Sequence, residues 1–315
     1  MEVTLLTKEQ IFGENKSKIF DEYGTKAAMT DFAILLGGAA NGWNYYRDNK
    51  SLEGRTGWYW TSSDDKANDV SVVIHDGDRY FDSVIYRSTG ARPALPYSSI
   101  QSISSNVVRG CDGILEVEYS EYPQRATAKI LQIELENAYQ NNEMSIKKTG
   151  KTYTTDSRKC YEYGKKFNAQ KHEEFESKGK KDVRIKANSF YDGSEFTLSN
   201  GEKYKNGNYV WVEVLPIKWL VDIEKDIALS EKILFAGILF DIKKRYDGNF
   251  KETFMYNYLN TIFIKDIQVQ QKQVQPKEIK ISVIKEKSER ELILEKLEKD
   301  KQKILSLRRN LVNKR

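Results

Sequence analysis

The feature that most constrains the fold is a set of short alternating segments between residues 58 and 97. Apolar and polar residues alternate with a period of two over 58–61, 70–74, 79–86 and 91–97, a pattern typical of strands with one buried face. The turn sequences Asp76-Gly77-Asp78 and Ser88-Thr89-Gly90 separate the later segments. Because Asp-Gly between strand-forming segments favours a tight hairpin, the sequence predicts an antiparallel sheet in this region.

Helical patterns flank the predicted sheet on both sides. Thr7-Lys8-Glu9-Gln10 has the form of a capping box and predicts a short helix that starts at Thr7. Apolar residues on one face predict a second helix over 26–36, which Gly37-Gly38 would end. Periodicity also predicts helices over 126–139 and 253–263 and strands over 208–221 and 226–229.

Composition excludes several classes of protein. The chain has 315 residues, of which 39% are hydrophobic and 31% charged, so it has enough apolar residues for a packed core and is neither fibrous nor wholly disordered. Its longest apolar run covers residues 233–240, far short of the roughly 20 residues that cross a bilayer. Residues 1–13 lack the layout of a signal peptide. We therefore expect no membrane span and no export.

Cysteine and histidine are too few for most metal or nucleophile chemistry. The two cysteines, Cys111 and Cys160, do not form a zinc-type pair, and the two histidines are His75 and His172. Cys111 as a nucleophile is less favoured than Cys111 as an inert buried thiol. His75 with Asp76 and Asp78 resembles a set of metal ligands, but Asp and Gly at a hairpin tip are the ordinary choice for turn geometry. We predict no metal and no cofactor.

The chain divides into four segments. Residues 1–100 form a first module, 101–112 a serine-rich linker, 113–267 a second module, and 268–315 a Gln-rich connector followed by a basic helix. Apolar residues of the last segment fall on heptad positions, namely Ile293, Leu297, Ile304, Leu307 and Leu311. A coiled coil that joins copies of the chain through 283–312, and a helix docked on its own protein, both fit this pattern.

Positive charge is concentrated in two segments. Residues 277–315 carry 13 Lys/Arg against 7 Asp/Glu, and residues 146–186 carry 13 against 6 with aromatic residues between them. Aromatic residues among cations can stack on bases and neutralise phosphates. No nucleic-acid-binding motif accompanies them, so the interpretation as a solvated surface is favoured over nucleic-acid binding.

Ordered short motifs in the first module resemble those of a known domain family. The matching segments are Thr30-Asp31-Phe32-Ala33, Trp58-Tyr59-Trp60-Thr61, Asp76-Gly77 and Gly90-Ala91-Arg92-Pro93-Ala94-Leu95, preceded by Leu5-Leu6-Thr7-Lys8-Glu9-Gln10. They resemble the back half of a largely uncharacterised domain family of low-GC gut bacteria and their phages. That family is related to the C-type-lectin-like and formylglycine-generating-enzyme fold.

The second module resembles the front half of the same family. Its matching segments are Glu121-Tyr122-Pro123-Gln124, Pro216-Ile217-Lys218-Trp219-Leu220-Val221, Leu229-Ser230-Glu231-Lys232-Ile233-Leu234 and Tyr258-Leu259-Asn260 with Phe263. The halves are in reversed order, so either two incomplete modules pack as one rearranged domain or each is completed by added elements. The resemblance implies an α+β fold with a C-type-lectin-like twisted antiparallel sheet and flanking helices. In that fold Arg92, Pro93, Pro216 and Trp219 would be structural motif residues.

The resemblance also directs the functional prediction towards binding. Formylglycine-generating enzymes bind copper through a pair of cysteines that Cys111 and Cys160 do not match, so no enzymatic activity is expected. A strand over 79–86 would place alternate side chains on one face, and Tyr and Trp give contact area at small entropy cost. We predict a protein or glycan ligand bound by Trp58, Trp60, His75, Asp78, Tyr80, Asp82 and Tyr86.

Other interpretations stay open at this point. Residues 79–86 also fit an ordinary solvated strand face, and the chain also fits a structural or assembly protein whose basic C-terminal helix holds the partner. A formylglycine-generating-like enzyme is the third choice. From the resemblance and the lack of an export signal, we expect the chain in the cytoplasm or on a virion. The resemblance also raises the hypothesis that a retroelement diversifies His75, Asp78, Tyr80, Asp82 and Tyr86.

Overall fold

The computed structural model describes residues 1–40, 55–66, 69–109, 113–156, 167–189, 195–242, 246–268 and 282–283. Met1–Ile281 forms one compact unit, and Ser282–Arg315 is a second. In the second unit the described part is the two-residue strand Ser282–Val283. Apart from Val283, the helix and the coiled coil predicted for 283–312 lie outside the described residues, as do Cys111 and Cys160, so these remain predictions.

Three short helices open the first unit: α1 (Lys8–Phe12), α2 (Ile19–Glu22) and α3 (Asp31–Leu35). The capping box predicted at Thr7 is confirmed, because Thr7 and Gln10 exchange side-chain to backbone hydrogen bonds. The helix predicted over 26–36 starts five residues later in the structure. Ala28 and Met29 form isolated β-bridges with Thr56 and Ile233. The Thr30 hydroxyl accepts the Ala33 N–H as the N-cap, so α3 begins only at Asp31.

The alternating segments form a three-stranded antiparallel sheet, as predicted. Its strands are β1 (Tyr59–Lys66), β2 (Asp69–Val73) and β3 (Arg79–Ser83), in that order. β3 is shorter than the predicted 79–86. After Ser83 the chain turns inward, and the Val84 carbonyl accepts the Phe240 N–H. The fourth alternating segment contributes β4 (Ala94–Pro96) and the 3₁₀ turn Tyr97–Ser99.

A second, larger antiparallel sheet contains most of the remaining strands of the unit. Its path runs β5-β6-β12-β9-β8-β7, and β13 joins β12 to β4. A separate pair is formed by β10 and β11. The strands are β5 (Ser105–Arg109), β6 (Ile114–Ala126), β7 (Lys147–Asp156), β8 (Ala169–Ser177), β9 (Lys180–Lys186), β10 (Phe196–Thr197), β11 (Lys203–Tyr204), β12 (Tyr209–Asp222) and β13 (Ile227–Ser230).

The two predicted modules meet in this sheet. β4 of the first module pairs with β13 of the second, with Leu95 opposite Ala228. The predicted linker 101–112 contains β5, which pairs with β6. Residues 1–281 thus form one compact unit with a sheet that draws strands from both segments. The combination of antiparallel sheets and separate helices fits the α+β class.

The remaining helices follow the long strands. α4 (Lys129–Gln140) starts later than predicted because residues up to Ala126 belong to β6, and Leu135 of this helix packs with Phe175 and Trp211. Near the end of the unit, the 3₁₀ turn Phe250–Glu252 leads into α5 (Phe254–Tyr258), a π-helix (Leu259–Phe263) and α6 (Ile264–Ile267).

A cluster of aromatic residues lies within the largely aliphatic core of the unit. Tyr122 is fully buried on β6, and its ring meets the rings of Phe32, Tyr153 and Phe263 edge-on. Edge-to-face aromatic pairs add roughly 0.5–1.5 kcal/mol each beyond the area that they bury. This cluster ties α3, two strands of the larger sheet and the π-helix into one core.

Candidate ligand-binding surface

The hairpin between β2 and β3 is built by its turn residues. Gly77 has a φ of +95° and donates its N–H to the Ile74 carbonyl, and the Asp76 carboxylate accepts the Asp78 N–H at 3.1 Å. Glycine adopts this backbone conformation without steric cost. Gly77 and the Asp76 carboxylate therefore define the turn. Within the described ranges, no group of three or more His, Cys, Asp or Glu side chains is placed to hold a metal ion.

Four side chains beside this hairpin form an aromatic surface, consisting of Trp58, His75, Tyr80 and Phe81. The Trp58 indole Nε1–H donates to His75 Nδ1 at 3.3 Å. The Tyr80 ring lies edge-on to Trp58, with centroids 6.1 Å apart, and stacks on Phe81 at 4.7 Å. Tyr80 is 47% exposed. The other three are half-buried. One side of these rings therefore packs against the protein, and the other side faces solvent.

Charged groups surround the aromatic surface. Asp76, Asp78 and Arg79 are exposed around the turn and the start of β3. The Lys26 side chain lies against Gly77, where its Cγ would come within 3.1 Å of an added Cβ. Positively and negatively charged side chains therefore lie around the stacked rings. The charged groups can form hydrogen bonds with a ligand, and the rings can contact its apolar parts.

No protein-family model, curated protein or solved structure matches this chain. Among the helices that the structure describes, none is long and apolar enough to span a bilayer.

Trp60 was predicted at the ligand-binding face, and the structure places it in the core instead. It is 1% exposed, and its ring lies 5.3 Å from that of Phe240. Trp58 and Trp60 are two residues apart, but the strand begins only at Tyr59, so the strand alternation that would put both rings on one face does not hold across them. Trp58 alone reaches the surface.

Asp82 and Tyr86 also depart from the predicted face. Asp82 is 7% exposed, and its carboxylate accepts the Thr89 hydroxyl at 2.7 Å. Burial raises the pKa of Asp82 to about 6. Tyr86 lies beyond the end of β3 and is half-buried, with its N–H bonded to the Ser83 carbonyl. The predicted site residues that the structure brings together are therefore Trp58, His75 and Tyr80, with Asp78 at the neighbouring turn.

Phe81 is the surface residue that the alternation rule missed. That rule assigned it to the opposite face from Tyr80, whereas its ring stacks on Tyr80 with an interplanar angle of 12°. Adjacent aromatic residues near an exposed strand end can turn towards each other, because fewer neighbours fix their rotamers there. The Tyr80-Phe81 dipeptide was the available sequence signal.

The structural motif residues lie where two segments meet. Buried Arg92 donates from Nε to the Ser230 carbonyl at 2.9 Å, and its guanidinium lies 5.5 Å from the Tyr59 ring centroid. The Pro93 carbonyl accepts the Ser230 N–H. Trp219 is fully buried and donates its indole N–H to the Tyr119 carbonyl at 3.0 Å. The hydrogen bonds of Arg92 and Pro93 thus hold β13 next to the segment before β4, and that of Trp219 links β12 to β6.

Pro216 lies at an irregularity of β12. It is exposed and pairs in register with Glu121, next to a register shift between Pro216 and Lys218. A proline has no N–H for the ladder, so a bulge is a position where a strand tolerates it. The Gln124 side-chain amide donates to the carbonyls of Leu215 and Pro216 at this bulge.

A buried polar cluster on β7 was not predicted from the sequence. The Tyr258 hydroxyl donates to the Thr154 carbonyl at 2.7 Å, and the Thr154 N–H bonds the Asp266 carboxyl. Tyr153, also on β7, donates its hydroxyl proton to the Glu174 carboxylate of the neighbouring β8 at 2.7 Å. Side chains from the C-terminal helices thus satisfy backbone groups on the outer edge of β7, which protects that edge from pairing with other chains.

Proposed function

We propose that this chain is a non-enzymatic binding protein that contacts a protein or glycan ligand through its aromatic surface. The observation that carries this proposal is the half-exposed Tyr80 ring, held edge-on to Trp58 while the Trp58 indole is fixed by His75. A ring that is supported from behind loses little conformational entropy when a ligand covers its front.

The surroundings of the aromatic surface favour recognition over a purely structural role. Tyr80 and its neighbours stand next to exposed Asp78 and Arg79, so an apolar centre is bordered by charged groups, as in many interfaces. Trp and Tyr are enriched among the residues that contribute most binding free energy. A surface of this composition binds ligands by ring contact and hydrogen bonds.

For the scaffold, we propose the C-type-lectin-like arrangement that the motif resemblance implies. The support consists of the mainly antiparallel sheets accompanied by helices and of the buried motif residues Arg92 and Trp219. We also propose that the protein is located in the cytoplasm or on a virion. Diversification of the surface residues by a retroelement predicts variable codons at His75, Asp78 and Tyr80 among near-identical loci.

Binding of the full chain to glycan and protein arrays tests the proposed function. The variants are Trp58→Ala and Tyr80→Ala, and the matched control is Tyr209→Ala, which removes an equally exposed tyrosine (48%) from β12. We expect a specific signal that is lost in the first two variants and retained in the control. Binding that survives Trp58→Ala and Tyr80→Ala but disappears on removal of residues 277–315 would favour the assembly interpretation instead.

A further inference from the structure

We propose that the core of the unit binds one internal water molecule, which bridges the Tyr122 hydroxyl of β6 and the Asp266 carboxyl of α6. The water would add a link between the larger sheet and the helices at the end of the unit. This site is built from other residues than the aromatic surface, so its test is independent of the proposed function.

Two buried oxygen atoms in this part of the core have no hydrogen-bond partner within the described structure. They are Tyr122 Oη and Asp266 Oδ2. The Tyr122 side chain is fully buried, and Asp266 is 7% exposed. Buried polar atoms in native proteins are nearly always bonded, either to another protein group or to an internal water. Two unpartnered oxygens in one cluster therefore indicate a partner that they share.

The backbone of Thr154 brings the groups of this cluster together. The Asp266 carboxyl accepts the Thr154 N–H, and the Tyr258 hydroxyl donates to the Thr154 carbonyl at 2.7 Å. Because the N–H and the C=O of one strand residue point to the same side, Asp266 and Tyr258 lie side by side along the edge of β7.

Tyr122 faces the same two side chains from β6. Burial is the main reason that the pKa of the Tyr122 hydroxyl is raised, and the neighbouring Tyr258 and Asp266 raise it further. The Tyr122 ring also lies 5.3 Å from that of Phe263, three residues before Asp266. The Tyr122 hydroxyl is thus within interaction range of Asp266, although no direct bond joins them.

Water suits this pair of groups better than an ion does. A tyrosine hydroxyl can donate to water, and water can donate in turn to a carboxylate, which only accepts. Burial raises the pKa of Asp266 to about 7, and water can also accept from the protonated acid. A metal ion requires more ligands, and in the ranges that the structure describes no three His, Cys, Asp or Glu side chains are placed to hold one.

The bridge would connect three segments that are distant in the sequence. The direct bond of Asp266 to Thr154 already holds α6 against β7. A water bonded to Tyr122 would extend this contact to β6, the strand that pairs with β12 in the larger sheet. The C-terminal helices would then be held to two strands of the core.

A crystal structure of the full chain, at a resolution that shows ordered waters, tests the site directly. We expect one water peak within about 3.2 Å of both Tyr122 Oη and Asp266 Oδ2, and its loss or weakening in crystals of Tyr122→Phe. The absence of such a peak from the wild-type protein, or a direct bond from the Tyr122 hydroxyl to Asp266 or Tyr258 in its place, would overturn the proposal.

Urea denaturation of Tyr122→Phe tests the same site in solution, because this variant removes the hydroxyl and keeps the ring. The matched control is Tyr59→Phe, since Tyr59 is 2% exposed and its hydroxyl donates directly to the Thr25 carbonyl at 2.7 Å. If water bridges the Tyr122 hydroxyl, both variants should lower the urea midpoint. A midpoint that Tyr122→Phe leaves unchanged or raises would contradict the bridge, because removal of an unpaired buried hydroxyl does not destabilise the folded state.

Discussion

The side-chain amide of Asn260 hydrogen-bonds both backbone groups of Val3. The Val3 N–H donates to Asn260 Oδ1 at 2.9 Å, and Asn260 Nδ2 donates to the Val3 carbonyl at 2.8 Å. Asn260 lies in the π-helix, a rare element that is often found at functional or specialised positions. The Asn260 side chain thus makes the two hydrogen bonds that a neighbouring strand would otherwise make with Val3. These bonds connect the N-terminal segment to the helices at the end of the same unit.

Replacement of Asn260 by alanine should destabilise the protein. Asn260→Ala leaves one donor and one acceptor of Val3 without their partners, which costs about 1–3 kcal/mol of unfolding free energy. Urea denaturation followed by circular dichroism measures this change. Asn257→Ala, on the exposed side of the preceding helix, is the control and should lower the free energy of unfolding less. Equal effects of the two variants would show that the Val3 contact contributes nothing.

Asp266 should make the free energy of unfolding depend on pH. Burial is the main reason that its pKa rises to about 7. Since an unfolded aspartate ionises near 4, the folded state loses stability relative to the unfolded state as the pH rises from about 4 to 7, by up to about 4 kcal/mol. Asp266→Asn removes this loss, so its stability relative to wild type should be higher at about pH 8 than at about pH 5. A difference between the two proteins that is the same at both pH values would contradict the raised pKa.

Asp31 and Arg55 should show a large coupling energy. Both are buried and form an ion pair, and the same carboxylate accepts the Ala126 N–H at 2.7 Å. Asp31→Ala leaves the guanidinium buried without its counter-charge, at a cost of about 3–5 kcal/mol. In a double-mutant cycle, Asp31→Ala with Arg55→Ala should cost clearly less than the sum of the two single variants. Additive costs would mean that the ion pair is not formed.

Truncation of Trp60 and of Tyr80 should destabilise the protein to very different extents. Trp60→Ala opens a cavity in the core and should cost about 3–5 kcal/mol of unfolding free energy. Tyr80→Ala removes a half-exposed ring and should cost under about 1 kcal/mol. Denaturation curves of the two variants measure the difference. If Tyr80→Ala were as destabilising as Trp60→Ala, Tyr80 would be part of the core rather than of the aromatic surface.

Sequence patterns correctly predicted those structural elements that are formed by contacts between residues close together in the sequence. The capping box at Thr7 and the Asp76-Gly77 turn act within four residues, and their outcome follows from the sequence alone. β4 shows the limit of such signals. The predicted strand over 91–97 shrinks to Ala94–Pro96, because its length is set by pairing with β13, more than a hundred residues away.

The binding face was predicted only in part for a similar reason. Period-two alternation requires a continuous strand, but β1 starts after Trp58 and β3 stops before Tyr86. Asp82 was assigned to the surface by alternation, yet the Thr89 hydroxyl from the following turn gives its carboxylate a buried partner. Neither the strand ends nor that partner can be read from local periodicity.

Oxidative footprinting of the aromatic rings, with and without an array-identified ligand, tests the central claim most directly. Hydroxyl radicals modify Trp58, Tyr80 and Tyr209 in the free chain, with Tyr80 and Tyr209 matched in exposure at 47% and 48%. If the aromatic surface binds the ligand, oxidation of Trp58 and Tyr80 falls in the complex while that of Tyr209 is unchanged. A complex in which Trp58 and Tyr80 remain as reactive as in the free chain would contradict the proposed function.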